Sequence, residues 1–246
     1  MVWVGAIGGG AFVLASLLLG LRMLLLARRT RALPEFSLGL ALFLMGAISY
    51  PIFVVARLAI DLGDDARIAL TLVSQALMLV GTLSLGVFNW RVFRAETSWA
   101  PGLITAVAVV FLALLGWQCV QPGLMAFIAE NRGPFSASSA LVGVTLVWGG
   151  VESLRYHAML AKRVDLGLCD PVVADRIRLW GFAMLSAWSI NVFSVIGQAF
   201  GIDPATSPAA GAVTGVMGLT ATCALWLAFF PPPAYLARFA PDCPPA

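Results

Sequence analysis

Polar side chains inside apolar segments are the first candidates for chemistry in this 246-residue chain. Such groups are costly to place in hydrocarbon, so those near the middle of a membrane-spanning helix are candidate functional residues. Trp188 lies three residues before Asn191 and shares its helix face. The pattern predicts an outward-facing pocket for a small or lipophilic ligand. The candidate ligand-binding residues are Tyr50, Gln75, Trp188, Asn191 and Gln198. The alternative is that these groups join helices through interhelical hydrogen bonds, which are common in membrane bundles.

A second group of candidates lies at the inner ends of the fifth and sixth predicted helices. These residues predict a surface for a separate cytoplasmic signalling protein, because no output domain fits in the chain. They are Glu152, Arg155, His157, Arg163 and Arg176. Glu152 and Arg155 are three residues apart on a helix, a spacing that predicts an ion pair.

The residue types do not favour an enzyme, a metal site or a cofactor. The single histidine, His157, cannot form a bis-histidine haem site or a typical zinc site. The inner face offers only Glu152, His157 and Asp170 for catalysis, and nothing in their spacing fixes a catalytic geometry. The only lysine, Lys162, lies in a predicted loop, which excludes covalent retinal. No acid, lysine or arginine lies in the middle of a predicted helix, which argues against a proton pump or a voltage sensor.

Seven segments without charged residues must position these side chains. About 20 apolar residues of helix cross a hydrocarbon core about 30 Å thick, and lipid leaves no alternative partner for the backbone. The segments are Met1–Leu21, Phe36–Ala56, Ile68–Trp90, Thr97–Ala129, Gly133–Val151, Leu179–Ile202 and Pro204–Ala237. With 61% hydrophobic and 11% charged residues, the chain is predicted to be a single all-α domain of seven transmembrane helices. The helices are predicted over about 3–27, 34–58, 67–93, 100–120, 135–158, 171–201 and 208–232.

The distribution of basic residues predicts the orientation. Arg57, Arg67 and Arg132 lie on one predicted side, and every other lysine and arginine lies on the other. Because basic residues near helix ends favour the cytoplasm, the N-terminus is predicted outside and the C-terminus inside the cytoplasmic (inner) membrane. The basic residues all flank the membrane, so membrane lipids are expected as partners and nucleic acid is not.

Several local patterns predict where helices end and how they pack. Asp170 followed by Pro171 is typical of an N-cap and a first helical residue. The three prolines 231–233 must end or kink the last helix. Glycines in the first and seventh helices predict close packing of these two helices. Cys119 and Cys223 lie in apolar segments, where we expect them to be packing residues.

An internal repeat is a further hypothesis. An offset of 142 residues pairs Gly39 with Gly181 and Leu77 with Leu219, so that helices 2–3 correspond to helices 6–7. Both halves would have the same orientation, which gives a 3+1+3 parallel repeat about an axis along the membrane normal. Chance matching of leucine and alanine between apolar helices is the alternative explanation.

Three segments resemble a group of standalone bacterial seven-helix proteins that have no assigned activity. They are RTRALPEFSLGLALFLMGAISYP, RYHAMLAKRVDLGLCDPVVADRIRLWG and LAFFPPPAYLARF, which begin at Arg29, Arg155 and Leu227. The layout is also similar to that of receptors and rhodopsins, without the retinal lysine. The resemblance implies a seven-helix fold and no particular activity.

Three functions fit the sequence. The first is a receptor-like sensor that binds a ligand in the outward pocket and signals to a cytoplasmic partner. The second is a small facilitative transporter of a neutral substrate, which the repeat would favour. The third is a structural or assembly subunit whose polar residues only join helices. The sequence does not name the ligand or predict the oligomeric state.

Overall fold

The computed structural model describes residues 2–58, 62–120, 134–200, 202 and 207–239. It contains seven helices that are long and apolar enough to cross a membrane, so the prediction of an all-α seven-helix membrane protein is confirmed. These helices are α1 (Val2–Thr30), α2 (Leu33–Leu58), α3 (Asp64–Phe93), α4 (Trp99–Val120), α5 (Pro134–Asp165), α6 (Pro171–Ala199) and α7 (Pro208–Phe229). A short helix, α8 (Pro233–Leu236), and a 3-10 turn (Ala237–Phe239) follow.

Local chemistry explains where these helices begin and end. The side chain of Asp170 accepts a hydrogen bond of 2.8 Å from the backbone N–H of Val172, so its predicted role at the start of α6 is confirmed. The helix α7 ends at Phe229, three residues before the predicted position. It ends early because prolines 231–233 cannot donate backbone hydrogen bonds.

The helices α5 and α6 are longer than a bilayer requires. They contain 32 and 29 residues, which corresponds to about 48 and 43 Å at 1.5 Å per residue. The helix α5 continues to Asp165, beyond the predicted end near residue 158. Both helices therefore have several turns in excess of the hydrocarbon thickness.

The helices pack in sequence order, and α1 contacts α7 to close the bundle. The helix α3 also packs against α5. One core cluster draws on all seven helices, with Leu19, Leu42, Leu85, Phe111, Leu146, Trp180 and Leu225 among its members. One end of the bundle is formed by the ends of α1, α3, α5 and α7 and by the starts of α2, α4 and α6. At this end, Arg22 on α1 donates a 3.0 Å hydrogen bond to the carbonyl of Phe229, the last residue of α7. We call this the basic end.

Small residues allow α1 to approach α7 closely. A β-carbon at Gly8 would lie only 2.9 Å from the carbonyl oxygen of Gly215. The predicted packing of the first helix against the seventh is thus confirmed. The prediction for the cysteines was wrong, because Cys119 and Cys223 are both exposed on the outside of the bundle. Lipid is as apolar as the core, so an apolar cysteine has no need to face inward.

A wide turn interrupts α2 in mid-membrane. Leu42–Ser49 form a π-helix, and the backbone N–H of Tyr50 donates to the carbonyl of Met45, five residues earlier. Pro51 follows at once, and its ring cannot fit against the carbonyl four residues before it in a regular α-helix. The wider turn accommodates the proline without breaking the helix.

Candidate functional site

Of the predicted pocket residues, Tyr50 faces α1. Its ring meets the ring of Phe12 edge-on, with 6.0 Å between the centroids. A β-carbon at Gly9 would lie 3.0 Å from the Tyr50 hydroxyl oxygen, so the glycine makes room for the phenol. Tyr50 is half-buried at the interface of α1 and α2.

Gln75 is buried and bonded to α4. Its Nε2 donates a 2.7 Å hydrogen bond to Oε1 of Gln118, and Nε2 of Gln118 lies 3.5 Å from the Ser138 hydroxyl on α5. Within the described residues, Oε1 of Gln75 has no partner. This chain of amides joins three helices, as expected of polar groups that have no water to bind.

Trp188 and Asn191 are brought together at the interface of α6 and α5. Both lie next to Gly143, where a β-carbon would be 3.3 Å from the Trp188 ring and 3.9 Å from the Asn191 side chain. The amide nitrogen of Asn191 donates to the carbonyl of Ala187 on its own helix, at 3.0 Å. The side chain of Gln198 lies outside the described residues. The predicted pocket residues therefore make their contacts at three different interfaces, which are α1–α2, α3–α4 and α5–α6. A ligand pocket formed by these residues stays a prediction.

Other polar groups that were not predicted from the sequence are buried between helices. Asn89 on α3 donates a 2.9 Å hydrogen bond to the carbonyl of Thr145 on α5. Ser49 and Ser74 each donate to the other's backbone carbonyl, at 2.9 and 3.1 Å, and so join α2 to α3. Asn89 is the second-last residue of its charge-free segment, so a search for polar groups near the middle of a helix does not select it.

A buried carboxylate links α5 to α3 at the basic end. Glu152 is 8% exposed and lies 3.0 Å from the guanidinium of Arg94. Its predicted ion pair with Arg155 is confirmed at 3.5 Å, although Arg155 is largely exposed. The contact with Arg94 was not predicted, because Arg94 is 58 residues away from Glu152 along the chain. A carboxylate removed from water needs such partners, since an unpaired one would be strongly destabilising.

A second buried carboxylate links α6 to the chain after α7. Asp175 is 5% exposed and accepts hydrogen bonds from the Arg178 guanidinium and from the Tyr235 hydroxyl on α8. Burial, and then the hydrogen bond to Asp175, raise the pKa of the Tyr235 phenol above its ordinary value. On α5, Nδ1 of His157 lies 2.9 Å from the carbonyl oxygen of Ala174. A cleft of about 190 Å³ opens between His157, Asp175 and Phe239.

The turn between α5 and α6 carries exposed apolar side chains. Leu166 and Leu168 are 71% and 74% exposed and flank Gly167, whose φ of +70° favours glycine. We call residues 162–170 the α5–α6 tip. Of the predicted partner surface, Arg155, Arg163 and Arg176 are exposed and His157 is half-buried, whereas Glu152 faces inward.

The three acid–base candidates have separate structural contacts. Glu152 binds Arg94, His157 contacts a backbone carbonyl and Asp170 caps α6. In the described part of the chain, no three His, Cys, Asp or Glu residues are placed to hold a metal ion. The comparisons with family models, curated proteins and solved structures gave no match.

Proposed function

We propose that this multi-pass protein is a receptor-like sensor of the cytoplasmic (inner) membrane. In this proposal the α5–α6 tip changes position when a small or lipophilic ligand binds, and a separate cytoplasmic protein detects the change. The ligand site would include Trp188 and Asn191, which lie side by side, with Tyr50, Gln75 and Gln198 as its further predicted members. The proposal assigns no catalytic residue and no cofactor.

The observation that carries the proposal is how the two long helices are held at the basic end. Glu152 ties α5 to the end of α3, and Asp175 ties α6 to α8. Glu152 is buried and keeps its ion pair with Arg155 if Arg94 moves away, whereas Arg94 is about one-third exposed and can return to water. A ligand shifts the equilibrium between the two states by as much as its affinities for them differ.

The π-helical segment of α2 supports the same interpretation. It places a wide turn and a proline beside Tyr50, and the Ser49–Ser74 pair connects this turn to α3. Wide turns of this kind often occur at functional sites. The helix α3 then continues to Arg94 at the basic end.

The experiment measures the position of the α5–α6 tip. Nitroxide labels at Leu168→Cys and Ser98→Cys, in a variant without native cysteines, report the distance between the tip and the α3–α4 connection in lipid nanodiscs. With Arg94→Gln we expect a second population whose distance differs by about 5 Å, the size of one helical turn. The matched control is Arg155→Gln, which removes the exposed partner of the same carboxylate and should leave the distribution unchanged.

The result separates the sensor from a structural subunit. The Gln75–Gln118 hydrogen bond favours the structural alternative, because it joins helices without forming a site. Identical narrow distance distributions in the wild type, Arg94→Gln and Arg155→Gln would mean that the tip is rigid. The sensor proposal would then be abandoned in favour of an assembly role.

A further inference from the structure

We propose that the groove between α1 and α2 at the basic end is a binding site for an anionic phospholipid. The groove has a volume of about 580 Å³, within the range of roughly 300–1,000 Å³ that is usual for small-molecule sites. Two arginines, Arg28 and Arg31, lie at its mouth, and apolar side chains that include Leu24, Phe36 and Leu40 line the rest. This inference is independent of the sensor proposal.

The charges at the mouth are free to bind a phosphate. Among the described residues, the guanidinium groups of Arg28 and Arg31 form no ion pair, and both side chains are exposed. The nearest acid in the sequence, Glu35, accepts a hydrogen bond from Thr30 and does not line the groove. Arginine donates several hydrogen bonds in a fixed fork, which suits phosphate oxygens.

The backbone conformation of Arg31 ends α1 and sets where its side chain lies. Its φ is +55°, and its N–H donates to the carbonyl of Ala27 at 2.8 Å, as at the left-handed end of a helix. Glycine or asparagine ordinarily occupies this position, because a larger side chain is strained there. This conformation places an arginine at the mouth of the groove.

The apolar part of the groove favours a lipid over free phosphate as the ligand. Phe36 and Leu33 are 48% and 45% exposed, and the groove continues from the arginines along Leu40 towards Leu44 in the spanning part of α2. A phospholipid headgroup at the arginines would lay an acyl chain along these side chains. A soluble anion would leave them uncovered.

The test is native mass spectrometry of the whole protein, released from nanodiscs that contain equal amounts of phosphatidylglycerol and phosphatidylcholine. We expect the wild type to retain phosphatidylglycerol preferentially. One arginine near an anionic membrane surface strengthens its attraction to anionic lipid about fivefold. We therefore expect Arg28→Gln and Arg31→Gln each to lower the ratio of bound phosphatidylglycerol to bound phosphatidylcholine about fivefold. Arg29→Gln is the matched control, because Arg29 is exposed on the same helix but does not line the groove.

Two further variants separate lipid binding from folding. Arg31→Gly suits the positive φ at this position, so we expect the variant to keep the fold. It should nevertheless lose the preference for phosphatidylglycerol, as Arg31→Gln does. Ala32→Trp fills the mouth of the groove with both arginines present, and we expect it to lose phosphatidylglycerol. An equal loss in Arg29→Gln, or an unchanged preference in Ala32→Trp, would overturn the site.

Discussion

The close approach of α1 to α7 predicts opposite effects for two glycine substitutions on one helix. Gly8→Ala adds a methyl group 2.9 Å from the carbonyl oxygen of Gly215, whereas Gly10→Ala adds one with nothing within 4 Å. The same chemical change is therefore made twice, two residues apart. Only the first meets another helix.

The magnitudes follow from these contacts. The obstacle at Gly8 is a backbone atom, which cannot rotate away, so the helices must separate by about 0.5 Å to reach ordinary contact. Overpacking of this kind costs about 1–3 kcal/mol. Gly10→Ala should instead stabilise by about 0.5–1 kcal/mol, because alanine is the better helix former. We expect the two variants to differ in free energy of unfolding by about 1.5–4 kcal/mol.

The assay is reversible unfolding of the purified protein in mixed detergent micelles, with both variants measured beside the wild type. A decreased free energy of unfolding for Gly8→Ala and an increased one for Gly10→Ala would support the packing. If the two substitutions change the free energy of unfolding equally and with the same sign, α1 does not touch α7 at Gly8.

Two further predictions concern the polar contacts. Gln118→Leu removes the acceptor of the Gln75 amide and should destabilise by about 1–2 kcal/mol in the same unfolding assay. Cys119→Leu, on the exposed neighbour, should change stability by less than about 0.5 kcal/mol, and an equal effect would contradict the buried amide chain. For Tyr235, the raised pKa means that the folded state favours the protonated phenol, so its stabilisation is complete below the unfolded pKa of 10.0 and is lost as pH rises through the higher folded value. Melting temperatures from pH 8 to 11.5 should fall more steeply above pH 10 for the wild type than for Tyr235→Phe, and parallel curves would refute the contact with Asp175.

The candidate site could be predicted only in part. Composition identified Gln75 and Asn191 as costly groups in hydrocarbon, but it could not assign their partners. Gln118 is 43 residues from Gln75, and an amide satisfied by a neighbouring helix has the same sequence pattern as one that lines a pocket. The i,i+3 pair of Glu152 and Arg155 was predictable because one helix fixes its geometry.

The sequence by itself determined the seven spanning helices, because hydrocarbon penalises every charge and every unpaired backbone group within a segment of known length. It also determined the cap at Asp170 and the end of α7 near the prolines, which depend on residues a few positions apart. Only the tertiary structure decided that Arg94 pairs with Glu152, that Tyr235 binds Asp175 and that Arg28 and Arg31 border an open groove. These arrangements depend on how helices pack, and lipid provides no difference in hydrophobicity between the inside and the outside of a bundle. The faces that meet are therefore chosen by shape and by individual hydrogen bonds, which a pattern along one chain does not contain.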